Sequence, residues 1–207
     1  MIVRLIARFL AFIARLISGA RPGGSMIIVK GDPQMVFFAN HSSHLDFMVI
    51  WSALPPQWRA RTRPVAGSDY WGKGPIRRFL ARRIFKAILI ERSTGSSVSH
   101  AQESIDRIAE GMGDRSHIIV FPEGTRSMTG ELLPFKSGMY HLALRKPELL
   151  FVPVYLANMN RILPKGEVLP VPIVGTVQFG AGIQLQAGED KQAFLARARE
   201  AMLALRR

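Results

Sequence analysis

Short unbroken runs of apolar residues recur along the chain at Met26–Val29, Met35–Phe38, Ala87–Ile90, Ile118–Phe121 and Leu149–Leu156. Runs of this length, bounded by polar or turn residues, predict buried strands. Arg63–Ala66, Val171–Phe179 and Gly182–Leu185 are further strand candidates. Between the runs, apolar residues return at helical spacing. Leu45–Leu54 predicts a helix that Pro55 and Pro56 stop, and Pro75 opens another in which Ile76, Phe79, Leu80 and Ile84 can face inward. Val98–Met112, Gly138–Leu144 and Glu189–Leu205 predict three more helices. Strands and helices alternating in this order place the chain in the α/β class.

The first twenty residues follow a different rule. Residues 2–17 are apolar except for Arg4, Arg8 and Arg15, and a helix at about 100° per residue gathers those three within roughly 40° of each other. The arginines break up any run of the roughly eighteen apolar residues that a span needs, and Phe9–Ala14 is shorter than a secretory core. Residues 1–20 therefore predict an amphipathic helix lying in a membrane interface with its arginines toward lipid phosphates. A helix packed on the domain is the alternative. Arg21-Pro22-Gly23-Gly24-Ser25 is a breaker cluster that separates it from a domain at 26–207, whose motif-bearing core spans about 35–157.

Charge adds a class of partner. Twenty-eight Lys and Arg against fifteen Asp and Glu give a formal charge of +13 over 207 residues, which suits an acidic partner such as anionic lipid, nucleic acid, coenzyme A or an acidic carrier protein. Arg77, Arg78, Arg82, Arg83 and Lys86 concentrate it on the helix after Pro75, as a solvated face or as a contact for an anionic surface. With no cysteine, the chain can form neither a disulfide nor a thiol nucleophile. No phosphate-cradling glycine loop of the mononucleotide or dinucleotide type is present.

Two polar turns hold the candidate chemistry. Asn40-His41-Ser42-Ser43-His44-Leu45-Asp46 joins a predicted strand to a predicted helix. Asp46 in the first helical turn can reach one ring nitrogen of His41 and leave the other to take a proton, and an imidazole with an ordinary pKa of about 6.5 can act as a base near neutral pH. These residues could equally be helix caps. Glu123, Gly124, Thr125 and Arg126 follow the strand that stops at Pro122; a glycine lets backbone approach a ligand, and an arginine fork matches phosphate oxygens. By itself this could also be a surface loop. His100, His117 and His141 have no partner at a telling spacing and read as structural.

The pair of turns, about eighty residues apart, resembles the glycerophospholipid acyltransferases, such as the 1-acylglycerol-3-phosphate acyltransferases. Phe121-Pro122-Glu123-Gly124-Thr125-Arg126-Ser127 matches that family's second motif, and Phe135-Lys136-Ser137-Gly138, Val152-Pro153-Val154 and Arg92 after Ile88-Leu89-Ile90-Glu91 match weaker ones. The likeness covers roughly residues 26–177. It implies one domain with a mixed, mostly parallel sheet flanked by helices. It assigns His41 as general base, Asp46 as its orienting carboxylate, and Arg126 with Glu123, Gly124, Thr125 and Arg92 as the glycerol-phosphate site. His44 becomes a polar neighbour. The implied reaction moves an acyl group from acyl-coenzyme A or acyl-carrier protein, as co-substrate, to a lysophospholipid hydroxyl, lysophosphatidate above others. No resident metal or cofactor is implied, and the partners are anionic membrane lipid, the acceptor and the donor, not nucleic acid. The expected location is peripheral, on the cytoplasmic face of the inner membrane. Alternatives are another acceptor such as lyso-ornithine lipid, a non-catalytic membrane-docking protein, or a zinc hydrolase, whose His-x-His-x-Asp-His pattern Ser42 and Phe47 interrupt.

Overall fold

The computed structural model describes residues 2–18, 21–23, 31–43, 45–91, 98–159 and 175–206. In chain order its elements are α1 (Ile2–Ser18), β1 (Arg21–Gly23), β2 (Met35–Ala39), α2 (Asp46–Ala53), α3 (Pro56–Arg59), β3 (Thr62–Gly67), α4 (Ser68–Trp71) and α5 (Pro75–Phe79), which runs into a π-helical turn at Leu80–Ile84. Then follow β4 (Ile88–Ile90), α6 (Val98–Met112), β5 (His117–Val120), α7 (Gly138–Arg145), β6 (Leu150–Ala157), β7 (Thr176–Phe179) and α8 (Lys191–Leu203).

The described strands form one sheet in the order β1-β7-β6-β2-β5-β3-β4. Every neighbouring pair is parallel except β6 with β7, so the sheet is mixed and mostly parallel, as expected. Three strand expectations need comment. Met26–Val29 and the first part of Val171–Phe179 lie outside the described residues. Gly182–Leu185 forms only an antiparallel bridge, Ile183 to Phe151, rather than a strand. Arg21-Pro22-Gly23 is more than a breaker, since it pairs with β7. An edge strand needs donors on one side only, which is why proline is tolerated there.

Strand β2 lies at the middle of the sheet and is buried along its whole length. Its period-two alternation feeds two cores. Met35, Phe37 and Ala39 pack with α2, Phe85 and α1 on one side, while Val36 and Phe38 pack with α6, α7 and α8 on the other. Phe37 and Phe38 have no exposed surface, and fully burying each is worth about 1.5–3 kcal/mol.

Helix α1 presents two apolar sides. Ile6, Ala7, Leu10 and Ala11 pack into the first core, and the Arg15 guanidinium donates to the Ser52 carbonyl at the end of α2. Domain packing thus describes one side. Ile2, Leu5, Phe9, Phe12 and Leu16 are 57–70 % exposed, a row of large apolar groups that the domain leaves uncovered. Among the described residues no helix is long and apolar enough to cross a membrane.

His117 is structural. At the start of β5 it is 1 % exposed and lies edge-on to Phe37 and Trp58. Its Nδ1 accepts from the Met35 N–H at 3.1 Å, so the neutral ring carries its proton on Nε2, which meets Arg61 Nη2 at 3.2 Å, donor against donor. Burial, with the Arg61 charge second, lowers its pKa to about 4. Above about pH 6.5 the ring is neutral in folded and unfolded chains alike and has no effect. As pH falls toward 4 the unfolded chain takes the proton first and stability is lost. At about 1.36 kcal/mol per unit the loss reaches roughly 3 kcal/mol. Thermal melts of the wild type are expected to fall more steeply between pH 6.5 and 4 than those of His117→Gln; parallel curves would rule out His117 as the cause.

Candidate active site

Where β2 ends, Asn40 fixes the direction of the turn that follows. Its side chain donates to the Leu156 carbonyl at 2.9 Å and accepts from the Leu156 N–H at 2.8 Å, locking the turn to β6. Asp46, the first residue of α2, is fully buried and reaches back into that turn. Its Oδ2 accepts from the Ser42 N–H at 2.7 Å, the Ser43 N–H at 2.8 Å and His41 Nδ1 at 2.8 Å. A carboxylate at a helix N-terminus is also favoured by the helix dipole. The imidazole stacks on Phe121, with ring centroids 4.0 Å apart and planes at 18°. With Nδ1 committed to Asp46, Nε2 is the ring nitrogen left to accept a proton.

The second turn is built against the first. The Ser127 N–H donates to the His41 carbonyl at 2.8 Å, and the Lys136 N–H donates to the Pro122 carbonyl at 2.8 Å. Gly124 sits at φ +69°, a backbone conformation that favours glycine. Glu123 is 3 % exposed; Oε1 accepts from the His41 N–H at 2.7 Å and Oε2 from the Leu133 N–H at 2.9 Å. Burial raises its pKa, against the two donors that favour the carboxylate.

His41, Gly124 and Arg126 line one cavity of about 580 Å³. It lies beyond the carboxyl ends of β3, β4 and β5, where open α/β sheets bind ligands. Its lining is polar at His41, Arg126 and Lys136 and apolar at Phe47, Trp71 and Phe85 of the first core, at Ala81, and at Ile105 and Ile108 of the second. Arg126 Nη1 is buried and has no hydrogen-bond partner among the described residues. An unsatisfied buried donor costs about 1–3 kcal/mol, more when charged, so this atom is one that a bound anion would satisfy.

The fold brings His41 and Asp46 together and sets Gly124 and Arg126 on the same cavity. Glu123 is close by, but both its oxygens are taken by backbone donors, which makes it a brace between the two turns. Thr125 is exposed and not part of the cavity wall. Arg92 lies outside the described residues, although Glu91 before it is on the wall.

Residues 25–157 match the Acyltransferase family. The chain belongs to that family. It is 32 % identical to the 1-acyl-sn-glycerol-3-phosphate acyltransferase of Limnanthes douglasii over 76 % of this chain and 57 % of that protein. It is 28 % identical to the Cocos nucifera protein of the same name over 82 % and 53 %. The human 1-acyl-sn-glycerol-3-phosphate acyltransferase alpha is 31 % identical over 64 % and 44 %. The chain spans about half the length of the curated relatives it matches. The crystal structure of the 1-acyl-sn-glycerophosphate (LPA) acyltransferase PlsC from Thermotoga maritima shares the fold, with a TM-score of 0.73 at 20 % identity over 99 % of this chain and 80 % of that one.

In this Acyltransferase-family chain the matched region contains both turns. Three contributions were not foreseen from sequence: the stacking of Phe121 on His41, the clamp of the Ser42 and Ser43 N–H groups on Asp46, and the position of Lys136 on the cavity wall. Only the last had a visible signal, in Phe135-Lys136-Ser137-Gly138.

Proposed function

We propose that the chain is an O-acyltransferase that moves a fatty acyl group from a thioester to the free hydroxyl of lysophosphatidate. The single observation that supports it most is the His41–Asp46 pair opening onto a cavity with both a cationic and an apolar wall. Nε2 of His41 takes the acceptor's hydroxyl proton as the oxygen attacks the thioester carbonyl. The tetrahedral oxyanion collapses and expels the thiolate, which takes the proton back from Nε2. Asp46 keeps the Nδ1 proton directed at itself and stabilises the imidazolium. The acceptor's phosphate lies against Arg126 and its chain against the apolar wall. Acyl-coenzyme A or acyl-carrier protein is the donor. The relatives' names favour lysophosphatidate over lyso-ornithine lipid.

The test is release of free thiol from an acyl thioester, with lysophosphatidate, lyso-ornithine lipid or no acceptor. Release that needs lysophosphatidate and survives exhaustive chelation is expected. Release with lyso-ornithine lipid alone would replace the acceptor, and thioester cleavage that stops on chelation would favour the hydrolase.

The enzyme docks peripherally, on the cytoplasmic face of the inner membrane, through the exposed side of α1. Each phenylalanine buried in lipid contributes about 1.5–3 kcal/mol. Phe9→Asp with Phe12→Asp is therefore expected to weaken co-sedimentation with phosphatidylglycerol vesicles by at least roughly ten-fold. Unchanged sedimentation would mean that α1 does not dock.

A further inference from the structure

Lys136 has no role in the account above, yet it lines the cavity with His41, Gly124 and Arg126. Its backbone N–H is fixed to the Pro122 carbonyl at 2.8 Å. The side chain folds over Gly124, with Cδ, Cε and Nζ at 2.8–2.9 Å from the point that a Cβ on Gly124 would occupy. Any side chain at 124 would have to displace this ammonium, so the glycine both makes the turn at φ +69° and leaves the lysine its seat. Lys136 is exposed and forms no ion pair among the described residues.

Lys136 and Arg126 thus line one cavity, neither with an acidic partner among the described residues, and Arg126 Nη1 is buried with no hydrogen-bond partner among them. Ser137 and Gly138, where α7 begins, continue the wall and add the positive end of a helix dipole. The other titratable groups on the cavity are His41, His141, Asp69, Tyr70 and Glu91. A phosphomonoester carries about −1.5 to −2 charges near pH 7, whereas a phosphodiester carries one. A single arginine suffices for the second kind; a pair of cations suits the first.

We propose that Lys136 is a second phosphate-binding cation, which with Arg126 selects an acceptor bearing a phosphomonoester over phosphodiester and phosphate-free lysolipids. This rests on the acyltransferase reading for the identity of the acceptor, but the phosphate site can be measured separately. Coenzyme A also bears a phosphomonoester, so donor and acceptor must be varied independently.

The experiment compares wild type, Lys136→Gln and Lys136→Arg in equilibrium binding of glycerol 3-phosphate and in steady-state turnover. For Lys136→Gln, glycerol 3-phosphate binding is expected to weaken roughly ten-fold or more, the loss typical of a charged hydrogen bond. The KM for lysophosphatidate rises by a similar factor, while kcat and the donor KM stay within about two-fold. Lys136→Arg recovers most of the loss. In the wild type the acceptor KM rises as pH falls through about 6, where the phosphate takes its second proton, and Lys136→Gln flattens that rise. Thermal melting of both variants should match wild type, since the side chain is exposed. An acceptor KM within two-fold of wild type would overturn the assignment and leave the acyltransferase reading intact. A rise confined to the donor KM would move Lys136 to the donor's phosphates and also overturn it. If wild type releases no thiol with any acceptor, the acyltransferase reading fails, and glycerol 3-phosphate binding alone decides whether Lys136 is a phosphate ligand.

Discussion

Replacing His41 by alanine is expected to lower kcat for lysophosphatidate-dependent thiol release by roughly a thousand-fold, within the hundred- to ten-thousand-fold range of a positioned general base. The lysophosphatidate KM should change little, because the proposed phosphate contacts lie on other residues. Melting temperature is expected to fall somewhat as well, since the ring's bond to buried Asp46 and its stack on Phe121 are lost, while the backbone contacts at position 41, from the Ser127 N–H and to Glu123, remain. Asp46→Asn is the informative companion. One asparagine oxygen can still accept from the Ser42 N–H, the Ser43 N–H and His41 Nδ1, so the geometry is kept while the charge that stabilises the imidazolium is lost. A smaller fall in kcat than for His41→Ala is therefore expected. If His41→Ala retained more than about a tenth of wild-type kcat, the general-base role would be wrong.

The strand and helix alternation, and with it the α/β class, is legible in the sequence because short apolar runs such as Met35–Phe38 and Ile118–Val120, bounded by polar or turn residues, are too short for buried helices and suit buried strands. Helix α6 begins and ends where its pattern predicts. The mixed, mostly parallel arrangement came from family resemblance, since strand order is set by contacts distant in sequence, such as β2 lying between β5 and β6. The same divide runs through the site. His41 and Asp46 are five residues apart and legible as a pair. Lys136 reaches Gly124 from a backbone position bonded to Pro122, and Asn40 finds Leu156 116 residues away. Side-chain capping, the local alternative for the first turn, does not describe α2, which has no side-chain cap: Asp46 binds backbone N–H groups of the preceding turn, which is how it comes to hold the imidazole. Chemistry-bearing residue types were visible, whereas which of them touch ligand and which brace the backbone was not.

Glu123 makes that difference measurable. If it bound the glycerol phosphate, Glu123→Gln would preserve size and hydrogen-bonding capacity and would chiefly alter the acceptor KM. The structure predicts otherwise. The two carboxylate oxygens accept from two different backbone donors, at His41 and Leu133. A glutamine has one oxygen, so in either orientation its amide N–H₂ opposes a buried backbone N–H. An unsatisfied buried donor costs about 1–3 kcal/mol, and two donors face each other here, so a loss of roughly 2–4 kcal/mol in unfolding free energy is expected. Burial already disfavours the charge on Glu123, yet neutralising it by this substitution still destabilises, because the lost acceptor matters more than the relieved charge. Turnover should fall with stability, since the brace runs from the Leu133 loop to the backbone of His41 itself. Urea unfolding with thiol release on the same preparations separates the two roles. A lower midpoint and a lower kcat at unchanged lysophosphatidate KM identify a brace; an unchanged midpoint with a raised KM would return Glu123 to the phosphate site.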